Sequence, residues 1–144
     1  MQDILSQYPF YKEIDISWGE MDAMGHINNI YYFRYFESAR IAYGEKINLW
    51  DHMKKTGIGP ILKEIRCRYK IPLVFPDKIY SLARVTEVGE DFFVMEHAVY
   101  SLKHRKIAAE GKGTLVSYDY KNNKKASLPT DWIDGINSLE KSPP

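Results

Sequence analysis

The sequence predicts a single α+β domain in which a curved antiparallel sheet wraps one long central helix. Three observations carry that reading. The chain has 144 residues, 44% of them hydrophobic and 27% charged, the size and balance of one globular domain over 1–144. Apolar and polar residues alternate with period two in one stretch before residue 20 and in a succession of stretches after residue 60. Between them lies a single long segment whose apolar residues recur at helical spacing.

The first strand is expected over residues 11–18, where Ile14 and Ile16 alternate with Glu13, Asp15 and Ser17, and Gly19 ends it. The stretch GEMDAMGHINN then carries two glycines and two adjacent asparagines, which accept turn geometry and offer side-chain acceptors to free helix N–H groups. It reads as a loop ending in a helix cap. From Ile30 to about Gly44 the pattern is helical: Tyr32, Phe36, Ala39 and Tyr43 share a face, and Ile30, Tyr31, Phe33, Tyr35 and Ile41 widen it, so contact is expected over most of the circumference. A short helix is expected over 49–55, ended by Thr56 and Gly57. After Pro60, Ile65, Cys67, Tyr69 and Ile71 share one face of a strand, and Glu64, Arg66, Arg68 and Lys70 form a wet, basic one. Pro72 and Pro76 interrupt it. Runs over 77–88 and 92–102 make a hairpin, a further run spans 107–118, and KNNKK turns the chain towards an amphipathic tail helix with Trp132, Ile133, Ile136 and Leu139. The strands read as one consecutive meander. Its exposed edges favour pairing with another copy, so a homodimer or homotetramer is expected.

Twenty Lys and Arg against nineteen Asp and Glu leave a net charge of +1, which argues against a nucleic acid or an anionic membrane as partner. The lone Cys67 cannot form an intramolecular disulfide and suits a reducing compartment. The N-terminus lacks a basic start followed by an apolar run, and nowhere do about 18 uncharged apolar residues stand together. A cytoplasmic protein without a membrane segment is expected. His26, His52, His97 and His104 show no metal-ligand spacing, so neither a metal nor a cofactor is expected.

Asp22 lies between an apolar strand and an apolar helix, with Met21, Ala23 and Met24 around it and no Lys or Arg within four residues. Partial burial there would disfavour its charged form and make it a better base. The N–H groups of Asn28, Asn29 and Ile30 open the helix, where the positive dipole end can hold a developing oxyanion. The residues alone leave two readings open: a capped turn, or the minimum equipment of a hydrolase.

The stretch WGEMDAMGHINNIYYFRYFESAR resembles the signature segment of the hotdog-fold acyl-CoA thioesterases, the group that includes 4-hydroxybenzoyl-CoA thioesterases. IRCRYKIPLVFPDKIYSLARV and KIAAEGKGTLVSYDYKNNKKASLP are similar to that family's later strands, so the likeness covers about residues 10–133. The resemblance implies a hotdog fold, active sites at a dimer interface, and hydrolysis of an acyl-CoA to a carboxylic acid and free CoA. It implies for Asp22 the role of general base or nucleophile, for Asn29 a backbone N–H to the thioester oxygen, and for Gly25 a small residue past which the acyl group runs. His26 occupies the place of a catalytic histidine in the plant acyl-carrier-protein thioesterases, but the asparagine that accompanies it there is Met24 here. Otherwise His26 reads as a hydrogen-bonded loop residue. Tyr32 and Phe36 either line the acyl pocket or pack the core, and Glu37 reads as structural, needing Arg34 or Arg40 as a partner if it is buried. Arg66, Arg68 and Lys70, with Lys103 and Arg105, could hold the phosphates of coenzyme A, or form a solvated edge. An acyl-carrier-protein thioesterase and a non-catalytic acyl-CoA-binding module are the alternatives.

Overall fold

The computed structural model describes residues 2–141. The elements are α1 (Gln2–Gln7), β1 (Phe10–Asp15), a 3-10 turn (Trp18–Glu20), α2 (Asn29–Lys46), α3 (Leu49–Thr56), β2 (Ile58–Tyr69), β3 (Lys78–Val88), β4 (Phe92–Ser101), β5 (Lys106–Asp119), β6 (Lys124–Lys125) and α4 (Thr130–Glu140). The strands form one antiparallel sheet in the order β1-β3-β4-β5-β2, with the short β6 also on β5.

The expected meander holds for β3, β4 and β5 only. β2 pairs outside β5, from Ile58 opposite Asp119 to Tyr69 opposite Ala109, and β1 closes the other edge beside β3. Residues 70–77 therefore carry the chain across the sheet. Period-two alternation fixes which side of a strand is buried but not which strand it pairs with, and hence the difference. β1 also stops at Asp15 rather than running to residue 18, because the Ser17 N–H turns to the Glu20 carboxylate at 2.8 Å and opens the 3-10 turn. Pro60 lies inside β2 instead of before it, which an edge strand tolerates.

The concave face of the sheet packs on α2. Tyr32, Tyr35, Phe36, Ala39, Tyr43 and Gly44 are the helix residues buried there. Phe36 reaches the sheet at Gly111, where an added Cβ would lie 2.4 Å from the Phe36 ring, so glycine sets the close approach. Ser81 Oγ donates to the Tyr35 carbonyl at 2.7 Å from β3. The other side of α2 is open: Ile30 is 57% and Ile41 43% exposed, so contact around most of the helix does not occur in the chain. α1, unforeseen in the sequence, lays Ile4 and Leu5 on Leu82, Ala98 and Tyr100 of the outer face. α4 is pinned by Glu140, whose Oε2 accepts from Tyr43 Oη at 2.5 Å and from the Val85 N–H at 3.0 Å.

His97 of β4 is fully buried under α2, its ring stacked on Phe36 at 4.9 Å, and neither ring nitrogen has a hydrogen-bond partner among the described residues. Burial first, and the Arg40 charge second, push the imidazole down from 6.5 to about 3. A loose approach to the Leu82 backbone opposes them. The unfolded chain takes up a proton near pH 6.5 that the folded chain refuses until about 3. Stability is thus complete above the unfolded value and falls with pH through that window, by up to about 1.4 kcal/mol per pH unit. Urea denaturation between pH 7 and 4 should show His97→Phe losing markedly less stability than the wild type.

Candidate active site

Residues 21–28 form a loop closed on itself. The Asp22 N–H donates to the His26 carbonyl at 2.9 Å, the Gly25 N–H donates to the Asp22 carbonyl at 2.9 Å, and Met21 and Ile27 form an antiparallel bridge. Gly25 turns the chain at φ +80, a conformation that would cost a side-chain-bearing residue about 1–2 kcal/mol. Beyond its chain neighbours, no atom of the described residues lies within 4 Å of where its Cβ would stand, so the space over the loop is open.

The Asp22 carboxylate is tied at both oxygens. Oδ1 accepts from the Met24 N–H at 2.9 Å, and Oδ2 takes a longer contact of 3.4 Å from Asn28 Nδ2. The same Asn28 caps α2, its Oδ1 accepting from the Ile30 N–H at 3.1 Å. One asparagine therefore joins the carboxylate to the helix start. Of the three amides noted there, that of Asn28 donates to the Glu20 carbonyl at 2.9 Å and that of Ile30 is taken by the cap. The Asn29 N–H has no partner among the described residues, which leaves it as the free donor at the positive end of an 18-residue helix.

Several expectations need correction. Asp22 is exposed rather than partly buried, as are Ala23 and Met24, because the tight turn projects from the fold and nothing among the described residues covers it. His26 is also exposed, and only its carbonyl, not its imidazole, is hydrogen-bonded among the described residues. Glu37 is exposed to water and forms no ion pair with Arg34 or Arg40 among the described residues.

Tyr32 is 2% exposed, its ring edge-on to Tyr69 at 4.9 Å, and its Oη accepts from the Leu73 N–H at 3.3 Å. The Leu73 carbonyl in turn accepts from the Ile27 N–H at 2.8 Å. Tyr32 and Leu73 thus brace the loop from below. Arg66 and Arg68 alternate with Cys67 and Tyr69, and Cys67 packs toward the helix side, so the two arginines leave the sheet on the face away from α2. There, with Arg84, Lys112, Glu96 and Glu110, they line a groove of about 510 Å³. Lys70 pairs with Glu110. Within one chain these cations do not meet Asp22.

Glu20 is the site residue to which sequence reasoning assigned no role. Its Oε1 accepts from the Ser17 N–H at 2.8 Å and from Tyr35 Oη at 2.9 Å, and its carbonyl accepts from the Asn28 N–H. Burial first, and then the Glu20 carboxylate, push the Tyr35 phenol far up, so the phenol remains a donor. The spacing of Ser17 and Glu20 is that of a capping box and could have shown the bond. No three His, Cys, Asp or Glu side chains gather as a metal site among the described residues, and no helix there is long and apolar enough to cross a membrane.

The family model described as the thioesterase-like superfamily matches residues 16–136. The chain is similar to a Thermus thermophilus thioesterase solved in complex with coenzyme A and zinc, at 27% identity over 95% of this chain and 98% of that one, with a TM-score of 0.81. It shares its fold with a DHNA-CoA thioesterase from Staphylococcus aureus, at 23% identity over 92% and 91% of the two chains, again with a TM-score of 0.81. It is 26% identical over 110 residues to a chloroplastic acyl-acyl carrier protein thioesterase of Arabidopsis thaliana, covering 76% of this chain and 58% of that protein.

Proposed function

The chain belongs to the thioesterase-like superfamily, has the hotdog fold and is a thioester hydrolase, and from that premise we propose that its substrate is an acyl-CoA and that Asp22 starts the reaction. The reaction consumes one water: the carbon–sulfur bond breaks, a carbon–oxygen bond forms, and a carboxylic acid and free coenzyme A leave. Asp22 either takes a proton from the attacking water or attacks the carbonyl carbon itself, giving a mixed anhydride that water opens. The Asn29 N–H, backed by the dipole of α2, receives the charge that grows on the carbonyl oxygen. Gly25 leaves room for the acyl group above the loop, and His26 stands by without a bond to the carboxylate. The observation that supports this reading most is Asn28, which touches Asp22 with one side-chain atom and caps the helix with the other.

A second copy completes the arrangement. β2 is an edge strand with Ile61 and Leu62 about 40% exposed, a surface that a homodimer or homotetramer would cover. Pairing there would enclose Asp22 and carry Arg66, Arg68 and Lys70 of one copy toward coenzyme phosphates held by the other. The similarity to the Arabidopsis protein favours a carrier-protein thioester as the second reading. Thiol release from matched acyl-CoA and acyl-carrier-protein thioesters separates the two: faster turnover of the CoA thioester supports the proposal, and faster turnover of the carrier-bound one overturns it. Stoichiometric binding without thiol release would overturn catalysis altogether.

Glu20 should matter to the rate without touching substrate. Glu20→Ala frees the Tyr35 phenol and loosens the loop beside Asp22, and is expected to lower kcat about tenfold, a modest share of what a 1 Å misplacement costs. Glu20→Gln keeps an acceptor oxygen and should recover most of the rate in the same assay.

A further inference from the structure

A cavity of about 240 Å³ lies between the second half of α2, α3 and the sheet, with Trp50, Met95 and Leu115 among its apolar walls. At the ~30 Å³ taken up by one water-sized group, it holds about eight such groups. Arg40 lines it, and Arg40 Nη1 is buried without a hydrogen-bond partner. No ion pair to Arg40 exists among the described residues; Glu37, one turn earlier on the same helix, also lines the cavity and its charge acts on Arg40, but it stays exposed to water. Arginine does not give up its proton inside a protein, so half-buried Arg40 keeps its charge with one guanidinium nitrogen buried and unbonded, a cost that an oxygen in the cavity would relieve. Near Arg40, neutral His97 has both ring nitrogens unpartnered among the described residues, but it is fully buried and does not line the cavity.

The cavity lies along the same helix as the reaction centre. Asn29 and Arg40 are eleven residues apart, about 16 Å along a helix, and a helical side chain leans back toward the helix start. An extended acyl chain of about eight to ten carbons, advancing ~1.3 Å per carbon, spans what remains.

We propose that the acyl group of the substrate carries an oxygen function on its end remote from the thioester, a carboxylate before a hydroxyl, and that Arg40 receives it in this cavity. The proposal rests on the thioesterase reading above. A carboxylate is preferred because it accepts two parallel N–H bonds from the guanidinium and also neutralises it, whereas a hydroxyl supplies only an acceptor.

Three CoA thioesters of equal chain length test it: octanoyl, 8-hydroxyoctanoyl and octanedioyl. The wild type should show kcat/KM rising in that order, with at least about tenfold between the extremes. Arg40→Met, close in shape and uncharged, should bring the three values within about twofold of one another. Free octanedioate, the product, should raise the wild-type Tm and leave that of Arg40→Met unmoved. Where Arg40→Met does not fold, Arg40→Lys should keep part of the preference. Equal rates on the three thioesters, an order that survives in Arg40→Met, or an equal Tm rise in both proteins overturns the proposal and leaves thioester hydrolysis standing. No thiol release from any of the three overturns both.

Discussion

Asp22→Asn is expected to lower kcat for thioester hydrolysis by at least about 10²-fold, the scale for losing a positioned base, while the protein stays folded. The substitution removes both forms of chemistry available to the carboxylate, since an amide neither accepts the proton from water nor attacks a carbonyl carbon. It leaves the geometry nearly alone. An asparagine oxygen can still accept from the Met24 N–H, and the turn is further held by the Asp22 N–H to His26 and the Gly25 N–H to Asp22. Because residue 22 is exposed, stability should change by no more than about 0.5 kcal/mol. Steady-state thiol release beside a urea midpoint separates the two effects. An Asp22→Asn variant as fast as the wild type would remove Asp22 from the mechanism, whatever the fold.

The largest effect on stability is expected from Phe36→Ala, at about 3–5 kcal/mol, against a total of about 5–15 kcal/mol for a domain of this kind. Phe36 is fully buried, stacks on His97 and fills the space that Gly111 leaves on β5. Its removal opens a void at the place where helix and sheet come closest. The void cannot be closed cheaply, because α2 is also held to β3 through Tyr35 and Ser81. The urea midpoint of the variant measures the loss. A loss under about 1 kcal/mol would mean that α2 slides onto the sheet, and the close approach at Gly111 would then be incidental.

What the sequence made legible was local. The spacing of Tyr32, Phe36, Ala39 and Tyr43 specifies a helix with one buried face, and all four are buried. Asn28 was legible as a cap because a short polar side chain before an apolar run has little else to do. The resemblance placed Asn29, whose amide is the one left free. What stayed hidden depended on neighbours far along the chain. The pairing of β2 with β5 is decided by tertiary packing, which alternation does not encode. α1 is too short to hold itself as a helix and exists because Ile4 and Leu5 dock on the sheet. The exposure of Asp22 follows from what covers residues 22–24, and the direction of Arg66 and Arg68 from which face of β2 meets α2. Apolar neighbours in sequence say nothing about either.

Leu73 has a consequence for how this chain can change. It sits in the crossover of residues 70–77, a surface connection of the sort that usually tolerates insertions and deletions. Yet its amide and its carbonyl each grip the support of the acid-bearing turn, one through Tyr32 and one through Ile27. A single residue added there would release that grip and behave as a lesion in turnover, although Leu73 itself is fully buried. Descendants of this protein that vary the crossover in length would have to find another anchor for their acid first.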